Sequence, residues 1–182
     1  MEMPEQSTTA TAGGGLRVYV PPTHALRTEA REAIHLRAVR DIARVRFAYP
    51  TGKYRDYKTY VNHPVRTMGV LMPDGLVGYP DIVVVQHPEN YVKILAEVET
   101  AETIREEVAR YEWLPYAQVA PLYLYVPVGR AEQTLDLCRR VGAPVVGIRT
   151  YRYIAGYEDP EINDHFTVPS TPADLLPKIL RR

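Results

Sequence analysis

Apolar positions recur at helical spacing early in the chain. In "ALRTEAREAIHLRAVRDIARVRF", Ile34, Ala38, Ile42 and Val45 fall on one side and arginines on the other, which predicts a basic amphipathic helix of about 20 residues. "KTYVNHPVRTMGVLM" reads as extended chain interrupted at Pro64, and "MPDGLVGYP" as a turn, with Asp74 assigned to the turn by its Pro-Asp-Gly setting. Two β-type runs follow in "YPDIVVVQHPENYVKILAEVET". Thr103 with Glu106 then makes a capping box, and Ile104, Val108 and Tyr111 make an apolar stripe, predicting a helix that ends before Pro115. "PLYLYVPV" predicts a buried strand. "AEQTLDLCRRVG" predicts a helix with Ala131, Leu135, Cys138 and Val141 on one face and Gly142 as its stop, and "APVVGIRTYRYI" predicts a last strand. This alternation implies an α/β (α+β) domain with a mixed sheet flanked by helices.

Composition sets outer bounds. At 182 residues and 46% hydrophobic, the chain suits one domain, expected over 16–170, after a polar, glycine-ended leader at 1–15 and before a short basic helix or tail at 171–182. No run approaches the roughly 20 apolar residues of a membrane span, and the N-terminus lacks the order of a signal peptide, so a cytoplasmic protein without a membrane partner is expected. The single cysteine, Cys138, excludes a disulfide framework within the chain and reads as a buried thiol.

Formal net charge is zero, but the charge is segregated. Residues 24–66 hold ten Lys/Arg against four acids, net +6, and residues 74–112 hold nine acids against three bases, net −6. One stretch suits a polyanion and the other cations. The same counts also describe ordinary solvated faces that cancel in the fold.

The hairpin concentrates the acids. Strand alternation puts Lys93, Leu95, Glu97 and Glu99 on one face and Val92, Ile94, Ala96 and Val98 on the other. A three-residue loop of Pro88, Glu89 and Asn90 would pair His87 with Tyr91 and bring Asp81 opposite Glu97. Two facing carboxylates repel unless a cation lies between them, and oxygen ligands with neither cysteine nor a nearby histidine pair favour Mg²⁺ or Mn²⁺ over zinc. The alternative is that one or more of these acids faces water at a strand end.

Pro80-Asp81, an apolar strand, a short turn, a second apolar strand ending Glu97-Val98-Glu99, and then a helix together resemble the PD-(D/E)XK nuclease superfamily of restriction-endonuclease-like proteins. The resemblance extends over residues 25 to 155 in element order and rests on three or four residues. It implies a restriction-endonuclease-like sheet flanked by helices, a metal held by Asp81, Glu97 and the Val98 carbonyl, and metal-dependent hydrolysis of a phosphodiester, DNA first. Glu99 stands where the family usually has lysine. Some members with Glu-X-Glu are active, with the second Glu proposed as base or further ligand, and others with altered motifs are inactive. Glu29 and Glu32 are candidates for the acid that the family often adds from its first helix.

Phosphodiester hydrolysis needs a cation at the phosphoryl oxygen and an activated water, a task for which Glu99 is placed. Arg37 and Arg44 on the basic helix, and Lys53, Arg55 and Lys58 interleaved with Tyr54 and Tyr57, are the candidate nucleic-acid contacts, although the same alternation describes a half-exposed strand. His35 and His63 read as surface or hydrogen-bonded histidines, His87 and His165 occur in loop-like sequence with no partner at metal-ligand spacing, and Trp113 reads as a core anchor. Two readings stay open: a Mg²⁺-dependent nuclease, as a homodimer where both strands of a duplex are cut, and an inactive nuclease-fold binding or assembly protein. A third reading uses the same metal pair on another phosphate ester.

Overall fold

The computed structural model describes residues 17–168. The leader expected at 1–15 and the helix expected at 171–182 lie outside them. After a 3₁₀ turn at Pro22–Ala25, the chain forms α1 (Glu29–Arg46), β1 (Tyr57–Val61), β2 (Val70–Leu71), β3 (Val77–Gly78), β4 (Ile82–Gln86) and β5 (Tyr91–Val98). It continues as α2 (Glu106–Val108), a π-helical turn (Ala109–Trp113), α3 (Leu114–Val119), β6 (Leu122–Pro127), α4 (Ala131–Val141), β7 (Gly147–Arg152) and β8 (Glu161–Thr167). Among the described residues, no helix is long and apolar enough to cross a membrane.

Six strands make one mixed sheet in the order β1-β4-β5-β6-β7-β8. The β5-β6 and β6-β7 pairs are parallel, and the other three are antiparallel. The central strands are continuous apolar runs because both faces are covered. On one face α1 packs Ala38, Val39, Ile42 and Ala43 over Ile82, Val84, Ala96 and Val98. On the other, Ile104, Val108, Trp113, Tyr116, Leu137 and Cys138 cover Val83, Val85, Leu95, Leu122 and Leu124.

Six details depart from the sequence reading. The buried side of α1 is His35, Ala38, Val39, Asp41, Ile42 and Ala43, whereas Ile34 and Val45 are exposed. Two polar groups lie on the inner face, so counting apolar residues rotated it. The hairpin loop has four residues, since Gln86 pairs with Tyr91. A β-bulge at the Val84/Val85 step absorbs the extra residue, so Ile82 pairs with Ala96, and Asp81, one step before Ile82, lines up with Glu97. The bulge also sets Val92 against the Leu95 side of the sheet and Ile94 against the α1 side, not on one face as strict alternation implied.

The capping box is not formed. The helix begins at Glu106 with Arg105 before it, and the Thr103 hydroxyl turns inward. The helical path also passes Pro115: the π-turn restarts the hydrogen-bond ladder, leaving the proline in the first turn of α3, where its missing N–H costs little. β8, a polar edge strand, has no counterpart in the sequence reading. By contrast, Asp74 makes its turn, accepting from the Leu76 N–H at 3.0 Å, and α4 ends as expected at Gly142, whose φ of 72° suits glycine.

Candidate metal centre

β5 lies between antiparallel β4 and parallel β6, and its C-terminal end carries Glu97 and, just beyond, Glu99. The side chains are 3% and 0% exposed, and the backbone is held by Asp81 from one side and the Tyr125 carbonyl from the other. Neither carboxylate faces water. The third member is Glu112, 3% exposed, on the π-turn. Ligand oxygens of Glu97, Glu99 and Glu112 lie within 4.8 Å of one another.

Each acid is held differently. Glu99 Oε1 accepts from the Trp113 indole N–H at 2.6 Å, and Oε2 accepts from the Thr103 hydroxyl. The Arg27 guanidinium approaches Oε2 at 3.7 Å and donates to the Val98 carbonyl at 3.4 Å. Glu97 Oε1 accepts from the Asp81 backbone N–H at 3.3 Å. Glu112 Oε1 accepts from the Thr23 hydroxyl at 3.3 Å, while its Oε2 is buried without a partner. Gly78 lets the Tyr116 ring close in, since a Cβ there would meet Cε1 at 2.6 Å, and the Tyr116 hydroxyl is also buried and unpartnered.

Burial, reinforced by the charges of Asp81, Glu112 and Glu99, pushes the Glu97 carboxyl well above the ordinary range. Glu112 is raised likewise by burial and by Glu99 and Asp81. Burial also raises Glu99, although Arg27, Thr103 and Trp113 oppose it. The cluster therefore holds either protons or a cation.

Asp81 lies beside this group but is committed elsewhere. Its Oδ2 accepts from the Val98 N–H at 2.7 Å and lies 3.0 Å from His35 Nε2, and its Oδ1 lies 2.7 Å from His63 Nε2. Burial alone would raise Asp81, but the two histidines outweigh it and hold the carboxyl well below its ordinary range. Burial lowers His35, yet the Asp81 charge, the hydrogen bond to Asp81 and the nearby Glu32 carboxylate bring it up to about 9.

The structure thus joins Glu97 and Glu99 as the sequence suggested and supplies Glu112, which the sequence reading left out. The signal was there: Ile104, Val108 and Glu112 step by four, whereas Tyr111, taken for the stripe, is 39% exposed. The Val98 carbonyl faces Arg27, and Glu32 sits near His35 instead of the three glutamates.

The basic candidates are only partly free. Arg37 stacks over Tyr153 at 4.1 Å, and with Arg40 and Arg44 it surrounds the buried Asp41. Arg44 also pairs with Asp159. Lys53, Arg55 and Lys58 are exposed. Tyr49, Tyr54 and Tyr57 pack on one another, with ring centroids 4.8 to 5.8 Å apart, so these rings form their own cluster. Lys58 pairs with Val85, four residues along β4 from Asp81, a separation of about 13 Å.

No family model, curated protein or solved structure matches the chain.

Proposed function

We propose that the chain is a metal-dependent phosphodiesterase of restriction-endonuclease-like architecture that cleaves nucleic acid, DNA first, with Mg²⁺ or Mn²⁺ held at the Glu97-Glu99-Glu112 cluster. The observation that carries this reading is the unpartnered, buried Oε2 of Glu112 facing two further buried carboxylates. Three converging oxygen donors suit a hard divalent ion, and a bound cation would relieve the repulsion that raises Glu97 and Glu112.

When bound, such an ion polarises a phosphoryl oxygen and lowers the pKa of a coordinated water. The protein's part is to hold Glu97 and Glu112 as ligands and to fix Glu99 rigidly through Trp113 and Thr103. Glu99 is then a charged wall more than a base, because both its oxygens already accept hydrogen bonds. Asp81 contributes a fixed negative charge and, through its backbone N–H, positions Glu97. The segment carrying Thr23 and Arg27 packs on these groups.

Arg27 favours a second reading. Its guanidinium takes the Val98 carbonyl, which the resemblance assigned to the metal, and Glu99, which it offered as base or further ligand, as a built-in cation would. On that reading the domain binds nucleic acid or assembles without cleaving. Incubating the protein with labelled single- and double-stranded DNA and Mg²⁺ or Mn²⁺ separates the two. Metal-dependent cleavage that Glu112→Gln abolishes supports the nuclease; binding without cleavage in wild type and Arg27→Met alike supports the second reading.

A further inference from the structure

On the α1 side of Asp81, the residues Glu32, His35 and His63 each place a ligand atom within 4.8 Å of the other two. Both histidines give the same nitrogen to one carboxylate, Nε2 of His35 to Oδ2 of Asp81 and Nε2 of His63 to Oδ1. An ion at this site displaces the proton that the raised pKa keeps on His35; with each ring then neutral and its Nε2–H turned to Asp81, the remaining lone pair sits on Nδ1. The Nδ1 of His35 is fully buried and has no hydrogen-bond partner. Glu32 Oε1 lies 3.6 Å from it, too far for a hydrogen bond. That spacing is close to the roughly 3.4 Å between two ligands of a tetrahedral ion with bonds near 2.1 Å.

A carboxylate that accepts the outer N–H of an imidazole is the arrangement that orients a metal-ligating histidine and raises its basicity. We propose that Glu32, His35 and His63 form a second metal site, for a first-row transition ion such as Zn²⁺, with Asp81 as the residue that positions both imidazoles. Two nitrogens and one carboxylate favour such an ion over Mg²⁺, which prefers oxygen, so the site is chemically distinct from the glutamate cluster and stands whether or not that cluster supports catalysis. Three protein ligands leave a fourth position open. A cavity of about 480 Å³ lined by His63, Pro64, Leu36 and Val61 opens beside one of the three ligands.

Cobalt is the probe, because Co²⁺ in a nitrogen-containing site of low coordination number absorbs in the visible. Titrating the full chain with Co²⁺ is expected to give one site whose absorption is removed by Zn²⁺ and not by Mg²⁺. His63→Ala and Glu32→Gln, both at partly exposed side chains, are expected to weaken Co²⁺ by more than about 100-fold, beyond the loss of an outer-shell partner alone. Glu112→Gln is expected to leave it unchanged. Absence of a visible band in wild type overturns the proposal. So does unaltered affinity in folded Glu32→Gln and His63→Ala proteins, or a band abolished by Glu112→Gln.

Discussion

The indole N–H of Trp113 donates to Oε1 of Glu99 across 2.6 Å, with both side chains completely buried. A core anchor and a site carboxylate are therefore one unit. Trp113→Phe keeps most of the apolar volume but strands a carboxylate oxygen, so a loss of about 1–3 kcal/mol or more is expected. Denaturant unfolding of Trp113→Phe, Glu99→Gln and the double variant checks it. Coupled, non-additive losses are expected, and independent losses would show that the hydrogen bond contributes little.

Arg27 is the cation nearest Glu99 among the described residues, and Asp81 and Glu99 hold it charged against the cost of burial. Arg27→Met is expected to lower the melting temperature without metal and to enlarge the upward shift on adding Mn²⁺, because ion and guanidinium compete for the same charges. Thermal scans with and without Mn²⁺ measure both. An equal metal shift in wild type and variant contradicts the competition.

Glu97 and Glu112 have folded-state pKa values raised above 4.5, so what they contribute is present in full below that pH and is lost as pH rises through the folded values. Metal-free protein should thus lose stability above about pH 4.5 from these two groups. Glu112→Gln removes one of them and should flatten that decline, leaving the variant relatively more stable at neutral pH. Urea midpoints taken across the pH range test this, and parallel profiles for the two proteins would refute it.

Cys138 is 3% exposed on α4, and burial pushes its thiol up to about 12. Reaction with a thiol reagent at pH 8 is expected to be slow in the folded protein and fast in denaturant. Rapid labelling under native conditions would place the thiol at the surface.

The long, periodic elements were legible from the chain: α1, the β4-β5 hairpin and α4 lie where apolar spacing put them. Asp81 was aligned with Glu97 despite a wrong loop length because the bulge restored the register that the buried faces demand. The misses at the two clusters share one cause, polar groups carried on buried faces. His35 and Asp41 lie on the inner side of α1, and Glu112 lies on the inner side of a π-turn, so a rule that equates polar with exposed passed over them. The pairing of His35 and His63 through Asp81 was beyond spacing arguments, since it joins a helix, a loop and a strand end far apart in sequence. β8 escaped for the opposite reason, as an edge strand it has little apolar pattern to show.

The most direct test of the central claim is calorimetric titration of wild type and Glu97→Ala with Mg²⁺, an ion that an imidazole-containing site does not favour. One specific site in wild type, lost in folded Glu97→Ala together with Mg²⁺-dependent DNA cleavage, is the predicted result. No specific Mg²⁺ binding in wild type, or equal binding in the variant, would contradict it and leave the glutamates as a buried, protonated cluster beside Arg27.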